Sequence, residues 1–267
     1  MARLRRLSAA SSRLPSQRSP LRTLSWDGCV NVRDLGGHRT EGGRVTQFGR
    51  VIRADSIRRL SDDGWGALVD YGVRSIIDLR YHTELEADPP RELDVDVLHL
   101  SLFGEPDDER WAELDALGAA ASDDVGFTRV IYLEVLEEHR RNLARAVAAV
   151  GAAQDGGVVV HCQAGKDRTG LVTALLLRLA GVSRADVAED YGVSERNLAP
   201  LNDAWIAEAS DQLERERRRR IGATPADAMY GVLEELERRY GDIGRYLRAG
   251  GATEVDLDAA RTRLLEP

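Results

Sequence analysis

The chain has 267 residues, enough for one large domain or two small ones, and 43% hydrophobic with 31% charged residues is the composition of a water-soluble globular protein. No run approaches the roughly 18 apolar residues of a membrane helix, and a formal charge of −8 argues against general nucleic-acid binding. The two cysteines, Cys29 and Cys162, form no disulfide framework and fit the reducing cytosol, so a cytoplasmic protein is expected.

Residues 1–24 carry six Arg, no acid and no periodic pattern. They read as a flexible basic tail, in preference to a transit peptide. From residue 25 to 267 no linker or repeat interrupts the chain, so one domain is expected there. Val51–Ala54 and Val73–Leu79 read as strands with a helix over Asp62–Tyr71 between them, and Val95–Leu100 reads as a third strand. Residues 105–124 hold eight acids and one Arg, with Trp111, Leu114 and Leu117 at helical spacing. Two readings stand for this stretch: a packed surface helix, or a mobile helical lid within 105–150. In the lid reading Trp111, Leu114, Leu117 and Phe127 form the docking face and 118–124 the hinge.

Gly157–His161 is a short apolar strand of the buried type. Asp167–Ala180 is apolar almost all round and predicts a buried helix. Mostly helices follow, at about 184–191, 203–219, 225–240 and 254–265. The Arg-rich run at 214–220 reads as a solvated helix face. The alternation of strands and helices predicts an α/β layer fold with a central sheet and a helical C-terminal part.

Between the buried strand and the buried helix lies HCQAGKDRTG, residues 161–170. A tight loop feeding a helix turns successive N–H groups toward one anion, and the helix N-terminus adds positive potential. The same field favours a thiolate at Cys162, which makes it the candidate nucleophile. Arg168 lies six residues on, where one circuit of the loop returns its guanidinium to the sulfur to grip two phosphate oxygens. Gln163, Ala164, Gly165 and Lys166 supply the cradle; Gly165 permits the turn and Gly170 close helix–sheet packing. Thr169 can donate its hydroxyl to the sulfur, and His161 braces the loop. A nucleotide-binding loop is excluded, because it needs Gly at 160 and Ser or Thr at 167, where the chain has Val160 and Asp167.

HC-x2-GKDRTG resembles the phosphate loop of the cysteine-dependent tyrosine phosphatase superfamily, and most closely its bacterial protein-tyrosine and dual-specificity branch. NVRDLGG at 31–37, IIDLR at 76–80 and YGDIGRYLRAGG at 240–251 extend the likeness over about 25–267. The resemblance implies a three-layer αβα fold with a mainly parallel sheet. It also implies a two-step hydrolysis without metal or other cofactor, through a phosphocysteine. The substrates it implies are phosphoproteins, on tyrosine and often serine or threonine, and in several relatives phosphoinositides.

Two carboxylates compete for general acid. Asp167 lies inside the loop, as in the myotubularin phosphatases, and is preferred. Asp78 stands at a strand's C-terminal end, where open sheets bind ligands; its plainer reading is an ion pair with Arg80. Lys166, the only Lys among 37 basic residues, resembles the Lys that meets further phosphates in phosphoinositide 3-phosphatases; alternatively it balances Asp167. Asn31, Arg33 and Asp34 read as a brace beside the site, the sharper alternative being contact of Arg33 with substrate. Two other classes compete with an enzyme of this kind: a phosphate-binding module without turnover, and a sulfur-transfer domain.

Overall fold

The computed structural model describes residues 22–88 and 95–266. Five strands form one sheet: β1 (Arg33–Asp34), β2 (Val51–Ala54), β3 (Val73–Asp78), β4 (Asp96–His99) and β5 (Gly157–His161). Their order is β1-β2-β5-β3-β4, parallel throughout except for β1, which is antiparallel to β2. β5 is therefore central. Its three consecutive valines suit that place, since a central strand is covered on both faces. Val159 packs with Ile52, Ile76 and the helix α1 (Asp62–Asp70) on one face, while Val158 and Val160 join the larger core on the other. Burying each valine contributes about 1.5–3 kcal/mol.

The larger core is built by helices that follow the sheet strands. α2 (His82–Ala87) leaves β3; α3 (Asp108–Ala119), α4 (Asp124–Glu138) and α5 (Arg140–Ala152) connect β4 to β5. α6 (Asp167–Leu179) leaves β5 and buries ten of its 13 residues. Its one buried hydroxyl in mid-helix, on Thr173, is satisfied by the Thr169 carbonyl. α7 (Arg184–Ala207), α8 (Gln212–Gly222), α9 (Ala226–Tyr240), α10 (Ile243–Ala249) and α11 (Glu254–Leu265) complete the helical C-terminal part. The architecture is the expected α/β one, with helices on both faces of a mainly parallel sheet. No helix among the described residues is long and apolar enough to cross a membrane.

Several boundaries differ from expectation. α7 runs through Pro200 to Ala207, joining what read as two helices, and packs along α9. The break falls instead at 208–211, where the Asp211 side chain accepts from Glu214 N and starts α8. Residues 22–24 belong with the fold: Asp34 N donates to Arg22 O, and Thr23 bridges Arg33. The rest of the expected tail, 1–21, lies outside the described residues. Of the stretch expected to hold a lid, 105–150, the last part is α5, whose Leu143, Val147 and Val150 are fully buried in the core. Within the remainder, Leu114 and Phe127 are buried as the docking face requires, but Leu117 is 46% exposed and takes no part in it. Gly118, at the expected hinge, closes the α3–α4 contact. A Cβ there would stand 2.8 Å from the Phe127 ring.

Candidate active site

Cys162 follows the last residue of β5, and α6 begins five residues later, so 162–166 form the loop at the C-terminal end of the central strand. Every carbonyl from 162 to 165 accepts a hydrogen bond from the loop's support. His161 Nδ1 stands 3.2 Å from Cys162 O, and Ser56 N donates to Gln163 O at 2.9 Å. Asn31 Nδ2 donates to Ala164 O at 3.0 Å and shares Gly165 O, at 3.3 Å, with Arg53 Nη2 at 2.9 Å. A loop with its carbonyls turned down offers its N–H groups on the opposite side, which is the construction of an anion cradle. Gly165 has φ +66°, and a Cβ there would lie 2.4 Å from Ala54 O, so only glycine fits against β2. A Cβ at Gly170 would meet the Tyr191 ring of α7 at 3.1 Å and, from the sheet, Arg53 Nη2 of β2 at 3.6 Å.

Arg168 lies at the first turn of α6, where its guanidinium stands 5.1 Å over the Tyr81 ring. Both Nη atoms meet the Glu84 carboxylate, at 2.5 and 3.1 Å. Burial works against the Arg168 charge, but the field of Cys162 and Glu84 outweighs it and raises the guanidinium's pKa. Glu84 on α2 escaped sequence reasoning, as it lies 84 positions from Arg168 with no motif around it. Thr169 is fully buried, and its hydroxyl has no partner among the described residues, so it is an unspent donor beside the loop.

Asp167 accepts on one oxygen, Oδ1, from Tyr132 OH at 2.6 Å and from Lys166 Nζ at 2.7 Å. Burial would raise its pKa; the Lys166 charge and these two donors more than offset that and lower it. The side chain is still 43% exposed. Tyr132 was not singled out from the sequence either; it lies on α4 and pairs with Tyr191 OH at 2.8 Å. Lys166 differs from the open cation of the phosphoinositide reading. Its side chain is 8% exposed, and Nζ donates to Asp167, to Ile221 O at 2.8 Å and to Ala223 O at 3.4 Å. An ammonium has three donors, so all are engaged, two of them at the end of α8.

Asp78 is not placed to meet a leaving group. It is fully buried, accepts three hydrogen bonds from the Arg80 side chain and lies 3.4 Å from His161 Nε2. Burial opposes its charge, but His161 and Arg80 lower its pKa far below the carboxylate range. The reading of Asp78 as acid gives way to the ion pair with Arg80 and a brace under His161. Arg33 is likewise 1% exposed and cannot touch substrate. Asp34 braces a turn through Gly36 N, Gly49 N and Tyr71 OH, away from the loop. Cys29 is half-buried and its Sγ donates to Ser56 O; burial and Asp55 raise its pKa, away from the thiolate form.

A cavity of about 280 Å³ opens beside the loop. Lys166, Asp167 and Arg168 form one wall; Phe103, Trp111, Phe127, Ile131 and Val135 give it an apolar body. Arg217, Arg220 and Ile221 of α8 close it from above, so the Arg-rich run is not simply solvated. Arg217 pairs with Asp115 and Arg219 with Asp124. The site thus combines a buried thiol, a loop whose carbonyls from 162 to 165 are all engaged, a guanidinium held by Glu84 and a half-exposed carboxylate, the last two lining an apolar cleft.

Comparison with known proteins points the same way. The chain is 30% identical over 229 residues to a tyrosine-protein phosphatase of Nostoc commune, covering 80% of this chain and 73% of that one. It is 28% identical to a putative tyrosine-protein phosphatase of Cupriavidus necator, covering 91% and 88%. To the triple specificity protein phosphatase PtpB of Mycobacterium tuberculosis it is 27% identical, covering 89% and 97%. The sequence pattern of the tyrosine phosphatase family matches residues 24–266, and the chain belongs to that family.

Proposed function

We propose that this phosphatase hydrolyses phosphotyrosine, and with it other phosphate monoesters, through a phosphocysteine on Cys162. The observation that carries the reading is the loop from Cys162 to Arg168 in which the carbonyls of 162 to 165 are each taken up by a hydrogen bond from the loop's support. Phosphate enters that cradle, and Arg168 exchanges part of its grip on Glu84 for the phosphate oxygens. The Cys162 thiolate attacks phosphorus; the P–O ester bond breaks as Asp167 passes a proton to the departing oxygen. Water then attacks phosphorus and gives a proton to Asp167, the P–S bond breaks to release inorganic phosphate, and Thr169 donates a hydrogen bond to the departing Cys162 thiolate. Because Lys166 and Tyr132 hold Asp167 by Oδ1, the other oxygen is free for that transfer. Lys166 moving to the incoming dianion would withdraw the strongest pull that lowers Asp167 and so raise its proton affinity, the direction an acid needs.

The apolar cleft suits an aryl ring beside the phosphate. A second reading, phosphoinositide turnover, is favoured by the cations Lys166, Arg217 and Arg220 at the same cleft. It requires Lys166 to leave the end of α8. Rates on a phosphotyrosine peptide, a phosphoserine peptide and monophosphorylated phosphoinositides, with unaltered chain and Lys166→Ala, separate the two. A phosphotyrosine enzyme leads on the first substrate, and Lys166→Ala costs similar factors on all. Loss confined to phosphoinositides favours the second reading, and no turnover on any, in the presence of EDTA, overturns both.

A further inference from the structure

Behind the loop lies an ion cluster that the chemistry above does not use. One carboxylate, Asp190 of α7, receives Arg53 Nη1 at 2.7 Å, Arg33 Nε at 3.1 Å and Arg22 Nη2 at 2.7 Å, and His38 Nε2 stands 3.9 Å away. The Asp190, Arg33 and Arg53 side chains are only 1–2% exposed. Three guanidinium groups share one buried carboxylate, an arrangement that is costly to desolvate. Burial and the Arg53 charge pull Arg33 down to about 9, against the pull of Asp190. A cluster kept at such cost invites a role, and its contacts name one.

Two of its members end on the loop. Arg53 reaches Asp190 with Nη1 and Gly165 O with Nη2. Arg33 donates from Nη1 to Asn31 Oδ1 at 2.7 Å, and the Asn31 amide holds Ala164 O and Gly165 O. α7 presents its partners on one face: Asp190, then Ser194 four residues on, then Asn197 at the seventh. Ser194 Oγ accepts from Arg33 Nη2 at 3.0 Å, and Asn197 Nδ2 donates to Asn31 Oδ1 at 3.2 Å.

We propose that Asp190 is a positioning residue for phosphate binding: it aims Arg53 directly, and Asn31 through Arg33, at the carbonyls of Ala164 and Gly165. The guanidinium is a rigid planar fork, so fixing one arm directs the other. A Gly165 peptide that lost this hold could rotate, turning an oxygen where the phosphate expects an N–H. The inference rests on the phosphatase reading of the loop.

The test is competitive inhibition by vanadate of aryl phosphate hydrolysis, measured on the full chain. The inhibition constant does not depend on how much of a preparation is folded, so a variant that is merely less stable leaves it unchanged. Asp190→Asn and Arg53→Lys, which keeps the charge but not the fork, are expected to weaken vanadate by about tenfold or more. Ser183→Ala is the control. It removes the side chain that accepts from Asp186 N at the start of α7, so it should lower the melting temperature and leave the inhibition constant alone. If Asp190→Asn does not fold, Arg53→Lys decides by the same measure. Constants within twofold of the unaltered chain in the folded variants overturn the inference, as does an equal rise in Ser183→Ala. An unaltered chain without vanadate-sensitive turnover overturns the phosphatase reading instead, whatever the variants do.

Discussion

The phosphate loop is flanked by two sets of ion pairs built in opposite ways. On the carbonyl side, Asp190, Arg33 and Arg53 are dry, and only Arg22 reaches in from the surface. On the cavity side, Arg217–Asp115 and Arg219–Asp124 tie α8 to α3 and α4 with side chains 23–49% exposed. Removing one partner of a buried pair strands the other and costs about 3–5 kcal/mol, whereas exposed pairs are worth about 0–1 kcal/mol and weaken in salt. The difference teaches how the site divides its tasks. The back of the loop is fixed, so the N–H groups are set before substrate arrives. The front is held lightly, by exposed pairs between α8 and α3 and α4, which in the proposed reaction is where a bulky phosphoryl group would enter. Lys166 joins the two, lying in the loop but donating to the end of α8.

The largest effect is expected where the front has a single irreplaceable cation. Arg168→Lys should lose about a hundred- to a thousandfold in kcat/KM, nearly as much as Arg168→Ala, because an ammonium cannot form two parallel hydrogen bonds. Near-normal rates with Lys would mean that charge alone suffices there.

Next comes the acid. Asp167→Asn should slow an alkyl phosphate by about a hundredfold or more and an activated aryl phosphate far less, since only a basic leaving oxygen needs the proton. Equal losses would remove Asp167 from that role. Tyr132→Phe withdraws one of the donors that lower Asp167, so the alkaline limb of the kcat/KM profile should move to higher pH; an unmoved limb would detach Tyr132 from the acid.

The back should betray itself through pH-dependent stability. Burial lowers His38 from 6.5 to about 4, against the pull of Asp190. The unfolded chain therefore takes up this proton first as pH falls. The stability from neutral His38 is complete above about 6.5 and is lost as pH drops toward about 4, by roughly 2–3 kcal/mol. Asp190, with its pKa lowered by Arg33 and Arg53 against burial, adds a loss at still lower pH. Urea unfolding between pH 7 and 4 should show this fall, and His38→Gln should flatten its upper part.

The smallest effect belongs to the front pairs. Arg219→Ala should change stability by less than about 1 kcal/mol, yet speed hydrogen exchange at 212–222. Exchange there as slow as in α6 would show that α8 is as fixed as the back, and the comparison would fail.

Much of this was legible in the sequence because local signals and tertiary placement agree. GVVVH is short, apolar and central, so its burial on both faces and its bounds follow from pattern alone. HCQAGKDRTG carries its chemistry in consecutive residues, so loop, thiol and guanidinium can be placed without a structure. What was not legible depends on partners far along the chain. Glu84, Tyr132 and Asp190 have ordinary local contexts and matter only because folding brings them to 168, 167 and 53. Asp78 misled for the same reason: a strand end facing a ligand and a strand end sealed under His161 have the same sequence. Lys166 stood out by type, but its engagement with α8 carbonyls depends on where a distant helix ends. Pro200 hid the continuity of α7, since a helix that gives up one backbone bond can still run on when packed.

The central claim is a phosphoryl group carried on Cys162, and trapping it tests that claim most directly. The chain is mixed with an aryl phosphate, quenched in acid within milliseconds and cleaved, and the peptide containing 161–168 is weighed. The account predicts one added phosphoryl group on Cys162, chased away by a second of further turnover and absent from Cys162→Ser. Steady hydrolysis with no such adduct at any quench time, or full activity in Cys162→Ser, would contradict it.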